Sequence, residues 1–297
     1  MKQVLKMSAI STALLTLPMM ANADVLASVK PLGFITSSIA NGVTDTQILV
    51  PAGASPHDYS LKLSDVQKVK SADLVVWVGE DIDAFLAKPI SQIDSKKVIN
   101  ISEIPEIKPL LSKVHHEHYH EGDEDEHGHD HKHGHDHKHE HGHDHEHHHH
   151  DVDENGLSVN WHLWYSPAIS QIVAQKVADK LTEQYPDKKE LIAKNLADFN
   201  RTLTEQSDKI KAQLAPLKDK GFFVFHDAYS YFNDAYGLNQ TGYFTINPLV
   251  APGAKTIAHI KEEIEEHRVN CLFAEPQFTP KVIDTLAQST KVNVCLL

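Results

Sequence analysis

Hydrophobic positions along this chain follow two spacings. Residues 25–29, 46–50, 74–78 and 98–101 are short, continuous apolar runs, the pattern of parallel strands covered on both faces. Pro31 interrupts the first, and Ser64 is expected to cap a short helix over 65–70. Past residue 160 the spacing turns helical. Ser166 followed by Pro167 is a helix start, with Ile169, Ile172, Val173, Val177 and Leu181 on one stripe. A longer stripe of Ile192, Leu196, Phe199, Leu203, Ile210, Leu214 and Leu217 predicts one helix from about residue 187, roughly 45 Å long at 1.5 Å per residue. Further strands are expected at 222–225, 241–246, 269–273 and 291–296, and helices at 256–266 and 280–288. Strands alternating with helices on both sides of the long helix predict an α/β protein with two parallel-sheet lobes. The long stripe turns polar around Thr204–Ser207, which favours a spine between lobes over a coiled-coil dimer, so a monomer is expected.

The two spacings leave two segments unaccounted for. At the start, Lys2 and Lys6 precede a mostly apolar stretch too short to span a bilayer, and Ala21-Asn22-Ala23 ends it with a small-x-small cleavage signal. Residues 1–23 are expected to be a secretory signal peptide. No Cys lies near the cleavage point, so a free periplasmic protein without a lipid anchor or stable membrane insertion follows. The expected organisation is an N-terminal lobe over 24–186, a linker helix over 187–217 and a C-terminal lobe over 218–297.

The second segment is an insert in the first lobe. Residues 115–150 hold 18 of the 23 histidines, and nearly all of the formal charge of −13 falls in residues 115–154. Almost no apolar residue is present to offset the entropy of ordering it, so a disordered loop over 112–158 is expected. The alternating His127, His129, His131, His133, His135, His137, His139, His141, His143, His145 and His147 offer many overlapping, individually weak imidazole sites for Zn, Cu or Ni. Without this segment the chain is nearly neutral and has no basic face for nucleic acid or anionic lipid.

Five histidines lie outside the tract. His57 follows a strand and a Pro-rich loop, His162 precedes a helix, and His226 ends a strand. Ligands of open α/β sheets bind beyond the carboxyl ends of strands. Three such loops can bring three imidazoles to one tetrahedral zinc, but the intervals between them are too long for a local motif. Position alone leaves ordinary surface or hydrogen-bonded histidines as the alternative, which is the reading for His259 and His267.

The residues around these histidines carry a resemblance. Gly53-Ala54-Ser55-Pro56-His57-Asp58-Tyr59, Asn160-Trp161-His162-Leu163-Trp164-Tyr165-Ser166-Pro167, Phe225-His226-Asp227-Ala228-Tyr229 and Phe273-Ala274-Glu275-Pro276-Gln277-Phe278 resemble, in order, four motifs of the periplasmic metal-binding proteins of zinc and manganese ABC transporters. The acidic His-rich insert is typical of the zinc members. The resemblance implies two α/β lobes joined by a long rigid helix, zinc as transported ligand in the cleft, a membrane permease as partner, and His57, His162 and His226 as metal ligands. Manganese members use a carboxylate at the third position; an imidazole there suits zinc. This chain departs from the pattern in three places. Asn160 stands where Asp is usual, and Pro56 where some zinc members have a carboxylate. The chain also ends before the loop whose Asp often completes the site. The C-terminal lobe is therefore expected to be truncated, with Glu275, Asp58 or a water as fourth or outer-shell partner. The family cystine joins a Cys like Cys271 to one in the absent helix, so a Cys271–Cys295 bridge is not expected.

Two other functions compete. A periplasmic zinc buffer would act through the tract alone. An enzyme could use His₃ with an open position, but the chain has no G-x-S-x-G nucleophile motif and is expected not to be one.

Overall fold

A computed structural model describes residues 25–115, 157–245, 253–266, 269–275 and 281–296. The leader, the alternating tract histidines and His267 lie outside them. The first lobe runs β1 (Val25–Ala27), α1 (Lys30–Ala40), β2 (Thr46–Ile48), α2 (Leu63–Ser71), β3 (Leu74–Trp77), the single turns α3 (Glu80–Asp83) and α4 (Ala87–Ile90), and β4 (Val98–Asn100). Its four strands form a parallel sheet in the order β2-β1-β3-β4. The continuous apolar runs divide by alternation between two cores. Val25, Ala27, Leu74 and Val76 face one side, while Leu26, Val75 and Trp77 face the other.

The chain then makes β5 (Lys113–His115) and β6 (Leu157–Val159), α5 (Pro167–Gln184) and α6 (Lys189–Leu214). The second lobe consists of β7 (Phe222–His226), α7 (Ser230–Tyr236), β8 (Gln240–Thr245), α8 (Ala254–Glu266), β9 (Cys271–Ala274), α9 (Lys281–Thr290) and β10 (Asn293–Leu296). Its sheet, β10-β9-β7-β8, is parallel throughout. Phe223, Phe225, Phe244 and Leu272 pack on Ile260, Ile264, Ile283 and Leu286 of α8 and α9. Two parallel-sheet α/β lobes joined by a long helix are thus the observed architecture. No helix among the described residues is long and apolar enough to cross a membrane.

Several expectations need correcting. Residues 30–40, read only as a break at Pro31, form α1, because Pro is well tolerated in the first helical turn. Ser64 does not cap α2. It lies inside the helix, and the Asp65 carboxylate instead accepts from the Lys62 backbone N–H and from the Tyr59 hydroxyl, each at 3.0 Å. The expected loop over 112–158 has ordered ends, since β5 and β6 pair antiparallel and clamp the base of the insert. Cys271 and Cys295 are bridged. Parallel pairing sets Cys295 opposite Phe273, two residues along from Cys271 on the same face, with Cα atoms 6.1 Å apart, within the usual disulfide span. The Ser166 cap is as read, its hydroxyl accepting from the Ile169 N–H at 3.3 Å.

Helix α6 has 26 residues, about 39 Å. Only its N-terminal part is well covered. Ile192 is buried, with Leu196 and Phe199 against the first core, whereas Leu217 just beyond its end is 47% exposed. Buried Asn195 anchors it by donating to the carbonyls of Ile39 and Asn41 at the end of α1, at 2.9 and 2.8 Å. Asn195→Ala leaves both carbonyls without that donor and is expected to lower stability by about 1–3 kcal/mol while sparing metal affinity; urea unfolding of the metal-free protein, alongside a zinc titration, checks both.

Candidate metal centre

Three connections deliver one histidine each to the same place. Beyond β2, the Ser55 hydroxyl accepts from the His57 N–H at 3.2 Å and starts a single 3₁₀ turn, Pro56–Asp58, that projects His57. His162 sits between β6 and the turn Leu163–Tyr165, edge-on to Trp164 with ring centroids 5.3 Å apart. His226 closes β7. The first two come from one lobe and the third from the other.

The three rings converge. Their centroids are 5.4 Å apart for His57–His162, 5.1 Å for His57–His226 and 4.6 Å for His162–His226. One ring nitrogen from each falls within 4.8 Å of the others. His57 Nε2 and His162 Nε2 are 3.2 Å apart. Two nitrogens bound at 2.0–2.1 Å to a tetrahedral zinc are about 3.3–3.4 Å apart, so this pair is already at ligand spacing. His162 and His226 are buried at 8% and 5% exposure, and His57 is half-buried. Burial lowers the basicity of His57, slightly opposed by Asp58; burial, then His226 and His57, hold His162 well below the ordinary imidazole range. Burial of both rings, and for His162 the two neighbouring imidazoles, favour the neutral form that a metal needs.

The carboxylates proposed from sequence do not join this cluster. Asp58 is exposed, and neither it nor Glu275 has an oxygen within the mutual 4.8 Å grouping. Glu275 directly follows β9, which pairs in parallel with β7 as far as Val224–Phe273. Its Oε1 accepts from the Tyr229 hydroxyl at 2.5 Å, and its Oε2 is buried without a hydrogen bond among the described residues. Burial pushes the Glu275 carboxyl up to about 7, with the Tyr229 bond pulling the other way. Tyr229 in turn stacks at 5.3 Å on Tyr165 of the first lobe. His259 lies on α8, 3.7 Å from Glu263, away from the cluster.

The resemblance already marks Asn160, in place of the usual Asp, as a residue that bears on the orientation of His162, whereas the sequence carries no signal for Tyr231. Both are structural members of the site. Asn160 bonds to His162 at two atoms, and the Tyr231 hydroxyl donates to the Asn160 carbonyl at 2.6 Å.

Residues 25–297 match the family described as zinc-uptake complex component A, periplasmic. The chain is similar to the high-affinity zinc uptake system protein ZnuA of Haemophilus influenzae, being 79% identical over 303 residues that cover 99% of this chain and 90% of that protein. The protein of the same name from Haemophilus ducreyi is 54% identical over 289 residues, covering 97% and 88%. A crystal structure of ZnuA superposes with a TM-score of 0.71 at 20% identity, covering 93% of this chain and 90% of that one, which shows a shared fold.

Two pH effects follow from the geometry. Three ordinary imidazoles with pKa about 6.5 would lose roughly a thousandfold in joint neutral population between pH 7.5 and 5.5. His57 and His162 lie lower, so zinc affinity of the cleft is expected to fall far less over that interval and to collapse only below it; chelator competition at both pH values measures this. Glu275 behaves oppositely. Its folded pKa is above the unfolded value, so ionising it destabilises the fold as pH rises from about 4.5 through 7. Glu275→Gln should therefore stabilise the metal-free protein by about 1–3 kcal/mol at pH 8, with most of the gain gone at pH 5, as read by urea denaturation.

Proposed function

The chain belongs to the family of periplasmic zinc-uptake components, and on that premise we propose that His57, His162 and His226 are the ligands through which it captures zinc between its lobes. It is the zinc-binding component of a zinc-uptake system, a transport protein and not an enzyme. Zinc is its cargo, and the loaded protein delivers it to the membrane permease of an ABC importer. The observation that carries the ligand assignment is the 3.2 Å pair of Nε2 atoms, with a third imidazole supplied by the opposite lobe.

The remaining assignments form part of the same reading. Residues 1–23 act as a cleaved export signal, 24–186 and 218–297 are the lobes, and 187–217 link them. The protein works as a periplasmic monomer. Glu275 serves as an outer carboxyl behind the site, held by Tyr229 and with its second oxygen buried. Tract histidines between β5 and β6 gather zinc weakly and feed the cleft. A buffer acting through the tract alone is disfavoured, because the convergent cluster lies wholly outside the tract.

Removing residues 116–156 so that β5 runs into β6 through a short turn separates the two roles. One tight zinc site is expected to survive. Replacing His57, His162 or His226 with Ala should weaken it by more than the 10–100-fold typical of losing an outer-shell partner. Competition with a zinc chelator reads the affinity. Loss of tight binding on deleting the tract, with the three alanine variants behaving as wild type, would transfer the function to the tract.

A further inference from the structure

The hydrogen bonds around Asn160 fix a proton position that coordinates without hydrogens leave open. Asn160 is 5% exposed. Its Oδ1 faces the backbone N–H of His162 at 3.0 Å, a group that can only donate. Its Nδ2 faces the backbone carbonyl of Asp227 at 2.9 Å, a group that can only accept. These two backbone partners exclude the flipped amide. Oδ1 also lies 2.8 Å from His162 Nδ1, and an amide oxygen cannot donate, so Nδ1 must carry the proton. The His162 lone pair is then on Nε2, the atom 3.2 Å from His57 Nε2.

We infer that Asn160 is a positioning residue for zinc capture: its amide oxygen locks His162 in the Nδ1–H tautomer and aims Nε2 at the metal position, while its amide nitrogen ties that ligand to Asp227, the residue after His226 in the opposite lobe. The inference rests on the assignment of His162 as a ligand. It makes the two first-lobe histidines unequal. His162 is preformed. His57 must donate from Nε2 to His162 in the metal-free protein, so His57 is the ring that changes tautomer when zinc arrives. The backbone of Asn160 is held as firmly. Its N–H donates to the Ser112 carbonyl at 3.0 Å, and the Tyr231 hydroxyl, which donates to its carbonyl, accepts from the Ser112 N–H at 3.0 Å. The base of the insert, the His162 ligand and the second lobe therefore meet at one residue.

Zinc titration of the full chain against a chelator strong enough to strip the tract tests this with three variants. His162→Ala should abolish the tight site; if it does not, the ligand assignment falls and the inference with it. Asn160→Ala should weaken the site about 10–100-fold, the usual effect of losing an outer-shell partner. Asn160→Asp keeps an acceptor for the Nδ1 proton but gives up the donor to Asp227, and should hold affinity at or above wild type. Wild-type affinity in Asn160→Ala, with His162→Ala inactive, overturns the positioning role. Equal weakening in Asn160→Asp and Asn160→Ala also overturns it, leaving only a structural tie between lobes. Melting curves of the three metal-free variants identify any that fails to fold, and the Asp variant then decides.

Discussion

Crowding three imidazoles into one small buried volume before any ion arrives is the constraint around which this protein is organised. If two of the rings were cations at these separations they would repel in a poorly solvated site. Burial resolves this by holding His57 and His162 neutral. The arrangement is then three neutral rings converging on a common point, with His57 and His162 facing each other through Nε2 at 3.2 Å. For the proposed site this favours capture, because folding has already desolvated and oriented the three imidazoles.

That preorganisation has to be built from two lobes, since the three histidines come from both. The loop after β2 and the end of β7 bring His57 and His226 together, and α6, tied to α1 through Asn195, links the lobes. Contacts between the lobes combine hydrogen bonds, from Asn160 to Asp227 and between Tyr231 and the Ser112–Asn160 pair, with aromatic packing of Tyr165 on Tyr229 and Phe232 and burial of Tyr231 in the first lobe's core. Each such hydrogen bond contributes about 1 kcal/mol toward this one lobe arrangement.

Much of this was legible in sequence, for identifiable reasons. Continuous apolar runs gave the buried parallel strands, and Ser166-Pro167 gave a helix start whose cap chemistry is local. The three histidines could be placed at strand ends by pattern, and motif resemblance, not spacing, pointed to their meeting. What escaped depends on partners distant in sequence. α1 was missed because Pro31 reads equally as a breaker or a first-turn residue, and only packing of Leu32, Ile35 and Ile39 on the sheet decides it. The Asp65 cap outcompeted Ser64 because a carboxylate at that position can reach back to the Lys62 N–H. The Cys271–Cys295 bridge was set aside by positional matching, yet it follows from the β9–β10 register, which no local signal specifies.

The same distinction explains the choice of metal. Which atoms coordinate is a matter of residue type. In the proposed ligand set an imidazole at His226 makes all three protein donors nitrogen, which suits zinc over a harder metal such as manganese. How tightly they coordinate is a matter of second partners, and here a neutral amide stands behind His162. An amide oxygen polarises the ring less than a carboxylate would, so it orients the ligand while adding less to its basicity. A carrier gains from that balance. Its ligands must be aligned well enough to take zinc from dilute solution and must not hold it so firmly that the permease cannot remove it. Putting orientation in a buried amide that also spans the lobes couples both requirements to one hydrogen-bond hub, since the same side chain holds His162 and Asp227.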